Sequence, residues 1–171
     1  MQRRMLFIFA LPAMLLAMLV MGANAALADS PHFISEGTAS ITSSGAYQVA
    51  KFKEAGLGNT VSTEAITLSA TATATYACIN GGGNHPKATN KQSVTGQVSN
   101  TGSFPVRNGS TTGTLAVGPP PAGPFQPPCS PPQTVVLVFV SYTGVSLTGL
   151  AGDTSAEPDL SACLFPGIGI C

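Results

Sequence analysis

Imidazole, thiol and carboxylate side chains are where chemistry is sought first, and this chain carries few of them. It has two histidines, His32 and His85. General acid–base or nucleophilic catalysis needs such a group held beside a partner. His85 sits in the turn Asn84-His85-Pro86, where a solvated loop residue is the simpler reading. A copper brace would require His32 to be the first residue of the mature chain, and cleavage after Pro31 is implausible. A blue-copper site needs a Met and a closely following Cys–His spacing that the mature chain lacks. No G-x-S-x-G nucleophile elbow is present. Glu157 and Asp159 have the chemistry of a glycosidase pair, but they flank Pro158 in a sparse acidic stretch and read as a solvated turn. We therefore expect no catalytic residue, no metal site and no cofactor.

The thiols have a structural reading. The chain has four cysteines, Cys78, Cys129, Cys163 and Cys171, with no C-x-x-C spacing for zinc. Four cysteines allow about three pairings. The expected pairs are Cys78 with Cys129, which join the ends of strand-like segments, and Cys163 with Cys171, which lie close in sequence.

One stretch is patterned enough to suggest a surface. From Ile66 the even positions are Ile66, Leu68, Ala70, Ala72, Ala74, Tyr76 and Cys78, and the odd ones include Thr67, Ser69, Thr71, Thr73 and Thr75. Apolar and hydroxyl side chains alternate with the period of a strand that has one buried face. Thr is β-branched and favours a strand, and a helix would scatter these residues around its circumference. Threonines two apart lie roughly 6.7 Å from one another, which invites an ice-binding reading. A single row is not a plane, however, and no internal repeat supplies neighbouring rows. Glycan platforms lean on exposed aromatics; the tyrosines are Tyr47, Tyr76 and Tyr142, and Tyr76 points inward by parity. The row is accounted for as a hydroxylated outer face that keeps an uncharged sheet soluble.

The elements that position these residues begin after a targeting segment. Arg3 and Arg4 precede an apolar run from Leu6 to Val20, broken only by Pro12, and Ala23-Asn24-Ala25 and Ala26-Leu27-Ala28 are small-residue cleavage sites. Residues 1–28 are expected to be a signal peptide cleaved after Ala28; the run is short for a membrane anchor. No cysteine follows it to take a lipid, and the expected location is secreted and extracellular, with no membrane anchor after processing. All five Met residues lie in this segment. The remainder carries Lys51, Lys53, Lys87, Lys91 and Arg107 against seven acidic residues, a net charge of −2. So sparse a basic complement excludes a nucleic-acid-binding surface.

Strand signals recur along the rest. Phe33 to Thr42, Tyr47 to Lys53, Gln92 to Ser99, Phe104 to Arg107 and Thr111 to Val117 read as strands. The Pro in the fourth places it at an edge, and Asn108-Gly109 signals a hairpin into the fifth. Thr134 starts a run that is apolar on both parities through Val140 and should be covered on both faces; Gly144 marks a bulge. Residues 118–133, half proline, cannot form a helix or a central strand. They read as a stiff crossover tied down by Cys129, in preference to a polyproline ligand. About seven short strands, turn residues and no convincing helix predict an all-β chain, an antiparallel immunoglobulin-like β-sandwich over residues 29–152, followed by a tail over 153–171 that folds back onto it.

The succession "KEAGLGNT", "ITLSATATATYACINGGGNHPKATNKQ", "GSFPVRNGSTTGTLAVGPPP" and "VVLVFVSYTGVSLT" resembles small exported bacterial proteins of unknown function, frequent in actinobacteria and other soil bacteria. The resemblance spans residues 33 to 150 and implies a secreted single-domain β-protein. It brings no activity or site residue with it. The expected role is a non-catalytic extracellular interaction or surface module with a protein or glycan surface partner; a secreted hydrolase or redox enzyme is the alternative.

Overall fold

The computed structural model describes residues 30–80, 90–124 and 128–165. Among them are nine strands and no helix: β1 His32–Ser35, β2 Thr38–Ile41, β3 Tyr47–Ala55, β4 Thr63–Ile79, β5 Lys91–Pro105, β6 Ser110–Val117, β7 Thr134–Thr148, β8 Thr154–Ala156 and β9 Leu160–Cys163. All pair antiparallel, in two sheets. In the first, β3 is flanked by β1 and β2 on one edge and β6 on the other. In the second, the order is β5-β4-β7, with β8 and β9 both along the far edge of β7. The sheets pack face to face as a β-sandwich.

Tyr47, Val49, Phe52, Leu115 and Val117 of the first sheet meet Ile66, Leu68, Ala70, Ala72, Val140, Tyr142, Val145 and Leu147 of the second. Small methyls on β4 leave room for the two tyrosines. Their rings meet edge-on at 5.4 Å, and their hydroxyls reach the rim, Tyr142 donating to the Gly45 carbonyl at 2.7 Å and Tyr47 to the Pro158 carbonyl at 2.7 Å. Burial pushes both phenols up to about 12, so both stay donors.

Two strands reset their parity where strict alternation would fail. In β3, continued alternation from Tyr47 and Val49 would turn Lys51 and Lys53 inward. Instead Lys51 takes a left-handed conformation, φ 60°, at a bulge between Ala50 and Phe52. Both lysines become exposed, and Phe52 and Glu54 are fully buried. The left-handed residue costs about 1–2 kcal/mol; burying an unpaired ammonium costs several kcal/mol, so the bulge wins. In β7, Gly144, φ 59°, inserts one residue opposite Ser69–Thr71, and a second irregularity lies opposite Thr75–Tyr76. The Gly144 bulge moves the core-facing set from even positions (Val140, Tyr142) to odd ones (Val145, Leu147).

The proline-rich segment closes one end. Tyr76, on the inward parity and half-buried, donates its hydroxyl to the Pro120 carbonyl at 2.6 Å, and Gln92 reaches the Ala122 carbonyl at 3.3 Å. Cys78, on the same face, is bonded to Cys129. Residues 118–124 are thereby laid over the part of β4 and β5 that the first sheet does not reach. On the opposite face of this end, Ala77, Ile79 and Val138 form a second apolar cluster with Val136 and Phe165. The apolar run of β7 is thus covered on both faces from Val136 to Val140, but not at Val135, which is 43% exposed.

Three expectations change. The segment 92–99 and the first two residues of 104–107 belong to one strand, β5, which ends at Pro105. The stretch 33–42 is two strands, parted at Gly37, φ 89°. The stretch set apart as a tail supplies β8 and β9 to the second sheet, so the sandwich runs to Cys163. Cys163 is disulfide-bonded; its expected partner, Cys171, lies outside the described residues. The Cys78–Cys129 bridge closes a separation of 51 residues, worth about 4 kcal/mol in the chain-entropy model. Replacing both cysteines by Ser should lower Tm by on the order of 10 °C in a thermal melt, and an unchanged Tm would remove the bridge from the account of stability.

Candidate functional site

The odd positions of β4 face away from the core, as their alternation demands, and the tertiary structure sets other hydroxyls beside each of them. Thr67 stands opposite Thr101 of β5 and Thr148 of β7, and Thr148 opposite Thr154 of β8, a rank of four threonines across four strands. The next rank is Ser99, Ser69, Ser146 and Ala156. Gln97, Thr71 and Thr143 follow, and then Thr95, Thr73, Ser141 and Ser161, the last from β9. None of these positions carries a charge or an aromatic ring. The β5 residues are exposed and those of β4 half-buried.

The hydroxyls are held by one another. Thr67 and Thr101 lie 2.8 Å apart, as do Thr73 and Thr95, and Ser69 and Ser146 are at 3.1 Å. The Gln97 amide donates to Thr71 at 2.8 Å. A pair of hydroxyls shares one donor and one acceptor in its mutual bond and keeps one donor and further lone pairs outward. The β4–β5 ladder holds its register without a bulge over every pair from Thr63↔Pro105 to Ala77↔Lys91. With strands ~4.8 Å apart and residues rising ~3.4 Å, the face from Thr67 to Thr73 measures roughly 14 by 20 Å. Beyond Thr75 the face turns apolar, with Phe139 and Cys163 opposite each other.

A second cluster is internal. The bulge at Lys51 places Glu54 beside Asp153, and a methyl on Gly149 would lie 2.8 Å from Glu54 Oε1 and 2.5 Å from Asp153 Oδ1. No fixed donor reaches any of the four carboxyl oxygens, and all are sealed from solvent. Nearby Glu64, also buried, accepts the Leu150 amide at 2.6 Å. Burial first, then the Asp153 and Glu64 charges, push Glu54 up to about 8. Glu54 therefore holds its proton at neutral pH, and a hydrogen bond from that proton toward Asp153 adds to the upward shift. Its ladder neighbours, Phe33 and Thr111, bring no charge. A depression of about 250 Å³ adjoins the cluster, lined by Leu57, Val61, Glu64 and Leu150 among others, but Glu54 and Asp153 do not open into it. Reacting groups must touch a substrate, and these four oxygens are sealed from solvent.

The earlier candidates scatter. His32 is exposed on an edge strand, its ring nitrogen 2.7 Å from the Ser30 carbonyl; His85 lies outside the described residues. Glu157 is not a solvated turn residue: it is 7% exposed, bonded to Ser155 at 3.3 Å, and pushed up to about 7, mainly by burial. Asp159 is exposed and accepts the Gly144 amide at 2.9 Å, which caps the β7 bulge. Among the described residues no group of three or more His, Cys, Asp or Glu side chains is arranged to hold a metal ion. No helix there is long and apolar enough to cross a membrane, and that, with the disulfide, is compatible with an extracellular protein. No protein-family model, curated protein or solved structure matches the chain.

Sequence reasoning missed the neighbouring hydroxyl rows because they come from four segments without a common repeat. Their signal was present, in Ser93-x-Thr95-x-Gln97-x-Ser99-x-Thr101 and in Ser146-x-Thr148, but pairing was needed to align them. It missed the carboxyl pair because Glu54 and Asp153 are far apart in the chain.

The raised acids set a pH dependence. In the unfolded chain Glu54 and Glu157 ionise near 4.5; folded, they hold their protons to about 8 and about 7. The folded state then binds more protons than the unfolded one between these values, so stability is fully present below about 4.5 and falls as pH rises to 8. Tm should be several degrees higher at pH 5 than at pH 8, and Glu54→Gln, which keeps a donor toward Asp153, should flatten most of that slope. A wild-type Tm constant across the range would exclude a protonated Glu54.

Proposed function

We propose that this chain is a secreted, disulfide-stabilised, non-catalytic module that binds an extracellular surface through the hydroxyl face of its second sheet. The observation that carries this reading is the four-strand array itself: ranks of Thr and Ser matched across segments distant in sequence, pinned by mutual hydrogen bonds and free of charge. A face that had only to stay soluble would be served by Lys and Glu, as sheet surfaces and edges usually are. The partner class is a protein or glycan surface, and export after cleavage at Ala28 supplies the oxidising space in which Cys78–Cys129 persists.

The strand order supports an immunoglobulin-like reading. Taking β1 with β2 and β8 with β9, seven positions fall as first edge-β3-β6 against β5-β4-β7-last edge, a Greek-key arrangement of that kind. The resemblance to small exported bacterial proteins points the same way.

The test is depletion from solution by insoluble matrices, namely crystalline and amorphous polysaccharides, intact cell envelopes and ice. The wild type should be removed by at least one of them, and Thr95→Lys/Thr101→Lys, which sets two charges on the face, should stay in solution. Retention of the wild type in solution with every matrix, or release of soluble sugar from a matrix by the pure protein, would overturn the reading.

A further inference from the structure

We infer that the hydroxyl face is an ice-binding surface, a proposal that rests on the face and the non-catalytic role of the reading above and replaces its protein or glycan partner with ice. Four properties of the face select this ligand.

The first is charge. Among the paired positions of β5, β4, β7, β8 and β9 none of the outward ones from the Thr101 rank to the Thr95 rank is ionisable, and the one carboxylate at the β7 edge of the face, Asp159, is engaged by the Gly144 amide. An ionic partner has no cluster of charges to pair with, whereas a neutral lattice over the β5, β4 and β7 hydroxyls desolvates no charge beneath it. The second is the lack of aromatic rings on the face, on which a sugar ring would stack. The third is spacing. On β5 and β4, which carry no bulge against each other, alternate residues repeat every ~6.8 Å and the strands lie ~4.8 Å apart, close to the oxygen repeats on the prism faces of hexagonal ice; on β7 the Gly144 bulge interrupts the repeat between Thr143 and Ser146. The fourth is the state of the hydroxyls. Thr67–Thr101 and Thr73–Thr95, at 2.8 Å, have the oxygen–oxygen separation of a water–water hydrogen bond, so each pair stands in for two linked waters and keeps a donor and lone pairs for the layer above. The threonine methyls lie beside them and confine that layer.

Rigidity completes the argument. Ordering water on a face is favourable only if the side chains have little freedom left to lose. Here the mutual bonds, the unbroken β4–β5 register and the β-branched χ1 preference of Thr fix the array before the ligand arrives. The ranks also close the objection that one threonine row is not a plane: the neighbours arrive from β5, β7 and β8 by pairing, without a sequence repeat.

The experiment freezes a dilute solution of the oxidised full chain slowly onto a cold seed and measures the protein incorporated in the ice against an inert carrier protein. Wild type, Thr95→Lys/Thr101→Lys, and Thr114→Lys, an exposed position on the other sheet, are compared, each shown folded by its thermal melt. Several-fold enrichment of the wild type and of Thr114→Lys in the ice, lost in the double variant, is the expected result. Exclusion of the wild type to the same extent as the carrier overturns the proposal. If the excluded wild type still binds crystalline cellulose or chitin through the same two threonines, the ice ligand falls and the surface-module reading stands. If it binds neither these nor any cell envelope, both fall.

Discussion

A central strand has both ladder edges occupied, so its two faces must find opposite environments, and β4 holds this position over seventeen residues. Its N–H and C=O groups are spent on β5 and β7, as buried backbone groups require. What remains to be decided is which face lies inward, and the alternation of methyl and hydroxyl decides it. A slip by one residue would bury a row of hydroxyls without partners and expose Ile66 and Leu68. Every other feature follows from that register: the small alanines admit Tyr47 and Tyr142 between the sheets, the opposite face becomes a plane of hydroxyls, and Tyr76 and Cys78 are aimed at the proline segment.

The neighbouring strands accommodate β4 through local irregularity. Lys51 accepts a left-handed backbone so that two ammonium groups stay in water, and Gly144 shifts the parity of β7 so that Val145 and Leu147 return to the core. Both devices have chemical consequences away from the bulge. The first turns Glu54 inward, where burial and the neighbouring carboxylates keep it protonated at neutral pH. The second leaves a backbone amide that Asp159 accepts. By contrast, the β4–β5 ladder carries no bulge, although curvature would be relieved by one. Its regularity is what keeps the hydroxyl ranks aligned.

Much of the architecture is legible before folding because its signals are local. The strands at Tyr47, Ile66, Thr111 and Thr134, the Gly144 bulge and the inward parity of Tyr76 rest on alternation and on residues with particular backbone preferences. The Cys78–Cys129 pair follows from strand ends. What escaped has a common cause. Glu157, read as solvated from its flanking Pro158, is buried because β8 and β9 return the chain to β7, and three- or four-residue strands are too short to show a period. The Glu54–Asp153 contact joins residues about a hundred positions apart, and its first member reaches the interior only through the Lys51 bulge.

By itself the amino-acid order determined that the fold is all-β, which side of β4 faces the core, where several of the turns fall and that the chain carries few charges. These are properties of consecutive residues, set by side-chain branching, glycine and proline geometry and a period of two. Only the tertiary structure decided that hydroxyls from β5, β7, β8 and β9 stand in rank with those of β4, and that the carboxyls of Glu54 and Asp153 are buried beside each other. Both depend on interstrand register, which is a sum over many long-range hydrogen bonds and has no representation in any short stretch of sequence.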